Sequence, residues 1–215
     1  MDVTLTINKY KLLRHQFFKW RYELEFTYKM MLALGVACLT GLLAQVRVYL
    51  PWSPVPLTGQ TFAVVLGAVV LGKWWGGISQ SLYLGIGVLG MPWFAGFHAG
   101  FSYLLGPTGG YLIGFVIASF FLGYFMDKYV KSRRFLTMFV LMLVANFGIV
   151  FGLGLLGLYG WVFVTTGTAV DLWGLLMMGL IPFLVGDLVK IAVAAGVAGA
   201  ITPKQAYGRE VDTST

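Results

Sequence analysis

The chain has 215 residues, of which 59% are hydrophobic and only 11% charged. A soluble domain carries about a quarter of its residues as charges, so water is excluded as the main solvent. The net charge of +7 is spread in short clusters between apolar runs rather than in one patch, which excludes a nucleic-acid face, and the single cysteine, Cys38, leaves no partner for an intrachain disulfide.

Taken from the amino terminus, Tyr10, Leu13, Phe17, Trp20 and Leu24 recur at three- and four-residue spacing with Lys11, Arg14, Lys19 and Arg21 between them. This pattern predicts a basic amphipathic helix on the membrane surface over 7–26. No short apolar core with a small-residue cleavage site follows, so a cleaved signal is not expected.

A bilayer core of roughly 30 Å needs about 20 apolar residues per helix. The polar breaks then give six spans, near 29–49, 58–72, 74–91, 108–127, 135–159 and 174–201, with five as the alternative because only Lys73 and its neighbours part the second from the third. The expected fold is an all-α integral membrane protein: a six-transmembrane-helix bundle (29–201) with an N-terminal amphipathic segment (1–28) and a polar tail (202–215). Thirteen of the fifteen Lys and Arg residues fall on one side of this arrangement; the exceptions are Arg47 and Lys190. By the positive-inside rule that side is the cytoplasm, which puts both termini inside a multi-pass cell-membrane protein.

The outer loops are rich in Pro, Gly and aromatics, as in Pro51-Trp52-Ser53-Pro54-Val55-Pro56 and the segment from Met91 to Gly100. Exposed in lipid, their backbone groups would go unpaired, so they are expected to fold over something at the outer face.

Several strings imitate catalytic motifs. Gly67-x-x-x-x-Gly72-Lys73 continues with Trp74 where a phosphate loop needs Ser or Thr, and the glycine patterns at Gly85 and Gly152 lie in uninterrupted apolar runs rather than after strands. The two histidines, His15 and His98, are far apart, with no carboxylate or cysteine cluster. Neither a metal, a cofactor nor a catalytic residue is supported, and an enzyme acting on a lipid or prenyl substrate would need such a constellation.

In the last span Asp187 and Lys190 stand at i and i+3 on one helix face. Either charge alone would cost several kcal/mol in the membrane, so the two are expected to pair, and an intramembrane ion pair more often marks a ligand path than mere packing. Gln60 follows the first outer loop and is a candidate ligand contact; Asn146, Gln45 and Gln80 read as interhelical glue. Trp93, Phe94, Phe97 and Tyr111 flank the glycine-rich outer segment. Ala33, Ala37 and Gly41 form a small-residue stripe that admits another helix, from this chain or another.

Four separated strings together resemble the BioY family. They are Ser53-Pro-Val-Pro-Leu-Thr-Gly-Gln60-Thr61, Tyr83 through Met91-Pro92-Trp93-Phe94-Ala95-Gly96, Gly106-Pro107-Thr108-Gly109-Gly110-Tyr111, and Pro182-Phe183-x-x-Gly186-Asp187-x-x-Lys190. The resemblance implies a six-helix bundle that binds biotin beneath the first and third outer loops. It also implies a transmembrane coupling subunit and two ATPases of an energy-coupling-factor (ECF) transporter as partners. On this basis the expected substrate contacts are Asp187, Lys190, Gln60, Tyr83, Trp93, Phe94, Gly96, Phe97, His98 and Tyr111, and the stripe Ala33, Ala37 and Gly41 faces the coupling subunit. The segment Phe97-His98-Ala99 is less rich in glycine than the family's usual third outer loop.

Chemically, Asp187 accepts from a ureido N–H, Lys190 donates to the ureido oxygen or neutralises the valerate carboxylate, and aromatics cover the apolar ring. The competing reading is a facilitator that works without an ATPase. The clustering of polar residues toward the outer half favours capture.

Overall fold

The computed structural model describes residues 3–212. It is almost wholly helical, with five stretches long and apolar enough to cross a membrane: Phe26–Gln45, Gln60–Val88, Gly109–Lys128, Phe135–Thr166 and Leu172–Ile201. Residues 1, 2 and 213–215, at the ends of the expected terminal segments, lie outside the described residues.

Helix α1 (Val3–Glu23) is followed after two residues by α2 (Phe26–Gln45), so the first helix starts and stops a few residues earlier than its periodicity suggests. A short antiparallel pair, β1 (Arg47–Val48) and β2 (Leu57–Thr58), closes the first outer loop with Arg47 opposite Thr58. Ser53 Oγ pins the tip of that loop by donating to the Met178 carbonyl at 2.6 Å.

The next helical stretch, α3 (Gln60–Val88), contains Gly72 at φ 80° and ψ −174°, a conformation open only to glycine. The chain doubles back there. A Cβ at Gly76 would stand 2.9 Å from the Ala68 Cα, and the Gln60 side chain reaches Tyr83. Asp127 caps the second arm by accepting the Lys73 N–H at 2.7 Å. The turn falls where the sequence divides the second expected span from the third.

After a four-residue helix, α4 (Phe101–Leu104), come α5 (Gly109–Lys128), a 3₁₀ turn at Val130–Arg133, and α6 (Phe135–Leu143). A π-helical segment, Val144–Val150, joins α6 to α7 (Phe151–Thr166) without interruption. The whole rod extends seven residues past the expected end at 159 and stops at Gly167, whose φ of 69° suits a left-handed cap.

The last stretch is broken rather than continuous. α8 (Leu172–Gly179) ends at Leu180, Ile181–Phe183 forms a 3₁₀ turn carrying Pro182, and α9 (Leu184–Ile201) begins afresh. A proline removes a backbone donor and clashes with the preceding turn, so the helix restarts. That restart places Asp187 in the first turn of α9, where the helix dipole favours a negative charge.

At the centre α3 packs against α2, α5 and α9, while α5 also packs against the π segment and α7. The small-residue stripe lies inside this packing: Ala33 and Ala37 are fully buried, and the space in front of Gly41 is filled by Trp93. The stripe therefore serves contacts within the chain, and its implied outward face toward a coupling subunit is not what the structure presents. The tail is no free polar extension either. It folds under the bundle, where Phe18 of α1 lies against Tyr207 and the Ala206 carbonyl stands 3.2 Å from His15 Nε2.

Candidate functional site

Asp187 is 2% exposed and held by three elements. Lys190 pairs with Oδ1 from one turn along α9, Thr61 Oγ1 donates to Oδ1 at 3.5 Å from the start of α3, and Asn146 Nδ2 donates to Oδ2 at 2.7 Å from the π segment. A carboxylate offers about four acceptor positions, so one remains open. The Lys190 ammonium also donates to the Thr58 carbonyl at 2.8 Å, which ties it to β2 and leaves it one N–H in hand. Asn146 Oδ1 is buried with no partner among the described residues. The extra residue in a π turn rotates the side chains that follow, and such turns recur at functional sites.

Asp187, Lys190, Thr58 and Thr61 line a cavity of about 40 Å³, with Asn146 behind Asp187; its polar wall is completed by Gln60 and Thr108, and its apolar wall includes Tyr111, Phe115, Phe151 and Phe183. Beyond it lies a second cavity of about 360 Å³, lined by Tyr49, His98, Ser102 and Pro107 among others. The two share Pro56, Ala95, Tyr103 and Thr108. Tyr103 stands in the partition, stacked on Phe94 at 5.0 Å and on His98 at 5.3 Å. It is carried by α4, which follows Gly100 at φ 92°.

Of the residues expected at the site, the structure brings Asp187, Lys190, Gln60 and Tyr111 to the inner cavity. Tyr83 stands one layer behind, accepting from Gln60 Nε2 at 2.8 Å, and Trp93 behind it donates from Nε1 to the Tyr83 carbonyl at 2.9 Å. The aromatic cover expected from Trp93, Phe94 and Phe97 is not met. Trp93 and Phe94 are buried as supports of the loop, and Phe97 is 66% exposed. Gly96 (φ 87°) shapes the turn, since a Cβ there would strike His98, and His98 lines the outer cavity rather than the inner one.

Sequence reasoning missed Tyr103 and Phe151, and it left Thr58, Thr61, Thr108 and Phe183 inside quoted strings without a role. Gln45, read as glue, is the anchor of the third outer loop. It donates to the carbonyls of Trp93 and Phe94 at 3.3 and 3.0 Å and accepts the Phe97 N–H at 3.2 Å. The chain alternation of Pro, Gly and aromatics announces a folded loop but not which polar side chain holds it.

The BioY family model matches residues 13–206. Among curated relatives, the "Probable biotin transporter BioY" of Methanothermobacter thermautotrophicus is 48% identical over 68% of this chain and 94% of its own length. The "Biotin transporter BioY" of Thermotoga maritima is 38% identical over 69% of this chain and 82% of its own length. The crystal structure of an S-component for biotin from an ECF-type ABC transporter superposes with a TM-score of 0.71, covering 80% of this chain and 89% of that one at 22% identity, and so shares the fold. With a family match that takes in both outer loops and the Asp187–Lys190 helix, the chain belongs to the BioY family.

Proposed function

We propose that this chain captures biotin at its outer face and carries it across the membrane as the substrate-binding subunit of an ECF-type transporter, drawing energy from a separate coupling subunit and two ATPases. The observation that carries the reading is Asp187, a carboxylate buried beside a cavity with three donors and room for a fourth, in a chain whose relatives are biotin transporters.

A ureido N–H fills the open acceptor position of Asp187. The ureido carbonyl then lies one atom away, within reach of the remaining Lys190 N–H, which favours this role over neutralising the distant valerate carboxylate. Phe151, Phe183 and Tyr111 cover the apolar ring. A site built on buried polar groups rejects analogues that leave those groups unpaired. An inner cavity of 40 Å³ holds a few waters but not a fused bicycle, so binding merges it with the outer one by displacing Tyr103 on α4.

We read the two arms of α3 as separate crossings, which makes six and returns both termini to the basic, cytoplasmic side. Helix α1 then lies along the inner membrane surface, with Leu5, Leu13, Phe17 and Trp20 exposed to it.

The test is mass spectrometry of small molecules released when the detergent-purified protein is denatured. Biotin is expected from the wild type and absent from Asp187→Asn. Equal amounts from both, or none from the wild type after growth with biotin, would overturn the reading.

A further inference from the structure

A third cavity, of about 340 Å³, opens at the opposite end of the bundle, between the α1–α2 junction and the Gly72 turn. Its walls carry an unusual surplus of donors. Lys29 gives one N–H to the Tyr22 carbonyl at 2.8 Å and has no carboxylate within ion-pair distance among the described residues, which leaves two N–H groups unspent. The indole N–H groups of Trp74 and Trp75 have no acceptor among the described residues. Arg21 does not add to the surplus charge, because Asp127 on the facing wall stands 3.7 Å from it. The net positive charge of the cavity is therefore that of Lys29.

The rest of the lining is apolar, Leu32 and Leu71, and α2 contributes both Lys29 and Leu32 to it. Only 22% of the most apolar stretch of α2 is buried. Phe26, 68% exposed, lies edge-on to Trp75 at 5.4 Å, and Leu39, 39% exposed, follows Leu32 by two turns on the cavity side of α2. A ligand that fits has one negative charge with several acceptor oxygens and is joined to hydrocarbon that follows α2 into the bilayer.

We infer that this cavity binds the phosphodiester of an anionic phospholipid, with Lys29 and the two tryptophan N–H groups on the phosphate oxygens and the acyl chains along Phe26, Leu32 and Leu39. A free phosphate would satisfy the donors but leave the apolar mouth without a partner. Tryptophan and lysine are the side chains that suit the headgroup level of a membrane. The site goes beyond vitamin capture and shares no residue with the Asp187 cavity.

Native mass spectrometry of the purified full chain tests this with added phosphatidylglycerol, phosphatidylcholine of the same acyl chains, or inorganic phosphate. One phosphatidylglycerol is expected to stay bound in preference to phosphatidylcholine. Lys29→Gln should weaken its retention about fivefold, the worth of one lysine near an anionic headgroup, and Lys29→Arg should restore it. Excess inorganic phosphate should not displace it. Unchanged retention in Lys29→Gln, equal retention of phosphatidylcholine, or displacement by inorganic phosphate would overturn the inference. Biotin retained in the same spectra of Lys29→Gln shows that the variant is folded.

Discussion

The protein buries an ion pair at each end, and the two are built to opposite ends. At the inner end the side chains of Arg133 and Glu210 are each 1% exposed and bonded on several sides, with no cavity described beside them. The guanidinium donates to the Met126 carbonyl through Nε and Nη2, to the Gln205 carbonyl through Nη1, and to Glu210 at 2.6 Å, while Tyr207 lies 4.4 Å beneath it. Glu210 also accepts the backbone N–H groups of Tyr207 and Gly208. At the outer end Asp187 and Lys190 each keep one position unfilled beside a cavity, and the neighbouring Asn146 Oδ1 has no partner. Burial of charge alone therefore does not mark a ligand site. Unspent hydrogen-bonding capacity facing open space does, because leaving it unspent in the folded protein has a cost that only a ligand relieves.

The sharpest way to separate the two pairs is to remove one cation from each. Arg133→Ala leaves Glu210 buried without its partner and should lower stability by about 3 kcal/mol, seen as an earlier thermal transition, with the affinity of the folded protein for biotin unchanged. A variant that melts with the wild type would show that the tail is not held by this pair. Lys190→Met should instead show its main effect in binding, a loss of more than about tenfold, or about 1.4 kcal/mol. Wild-type affinity in that variant would move the site away from Asp187 and Lys190.

A smaller effect concerns the inner end alone. Burial, then the charges of Arg14 and Arg133, lower the Lys204 amine to about 8 from the ordinary value of 10.5. Below the lower value the amine is charged in docked and undocked tails alike, and burying that charge weakens docking. Between the two values only the docked form has shed its proton, so docking strengthens as pH rises. Protection of the tail from proteolysis should rise across that interval and stay flat in Lys204→Met; protection that falls in the wild type would contradict the assignment. Glu210 behaves in the opposite sense. Burial pushes its carboxyl up, but the bonds from Arg133 and the backbone N–H groups outweigh that and hold it below its usual range, so its contribution is present above that range and lost on acidification.

Much of this was legible in the residues. Hydropathy located the apolar stretches, though not how α3 divides, because a lipid-exposed helix must be apolar along its length, and Asp187 with Lys190 stood out because charge is costly there. The break before α9 was hidden, although Pro182 was in view, because a proline in an apolar run permits a kink or a restart. Tyr103 could not be found from spacing, since its position depends on how the loop after Gly100 folds over Phe94. The inner clasp was missed for a different reason. Polar residues such as Tyr207 and Glu210 after a last span look like a solvated tail, and only the fold brings Arg133 and Arg21 to meet them.

The measurement that bears most directly on this contrast is calorimetric titration of biotin into two charge-neutralised variants, Asp187→Asn and Glu210→Gln. The account predicts that the first loses affinity by more than about tenfold while the second stays within about twofold of the wild type. Wild-type affinity in Asp187→Asn, or an equal loss in Glu210→Gln, would contradict it.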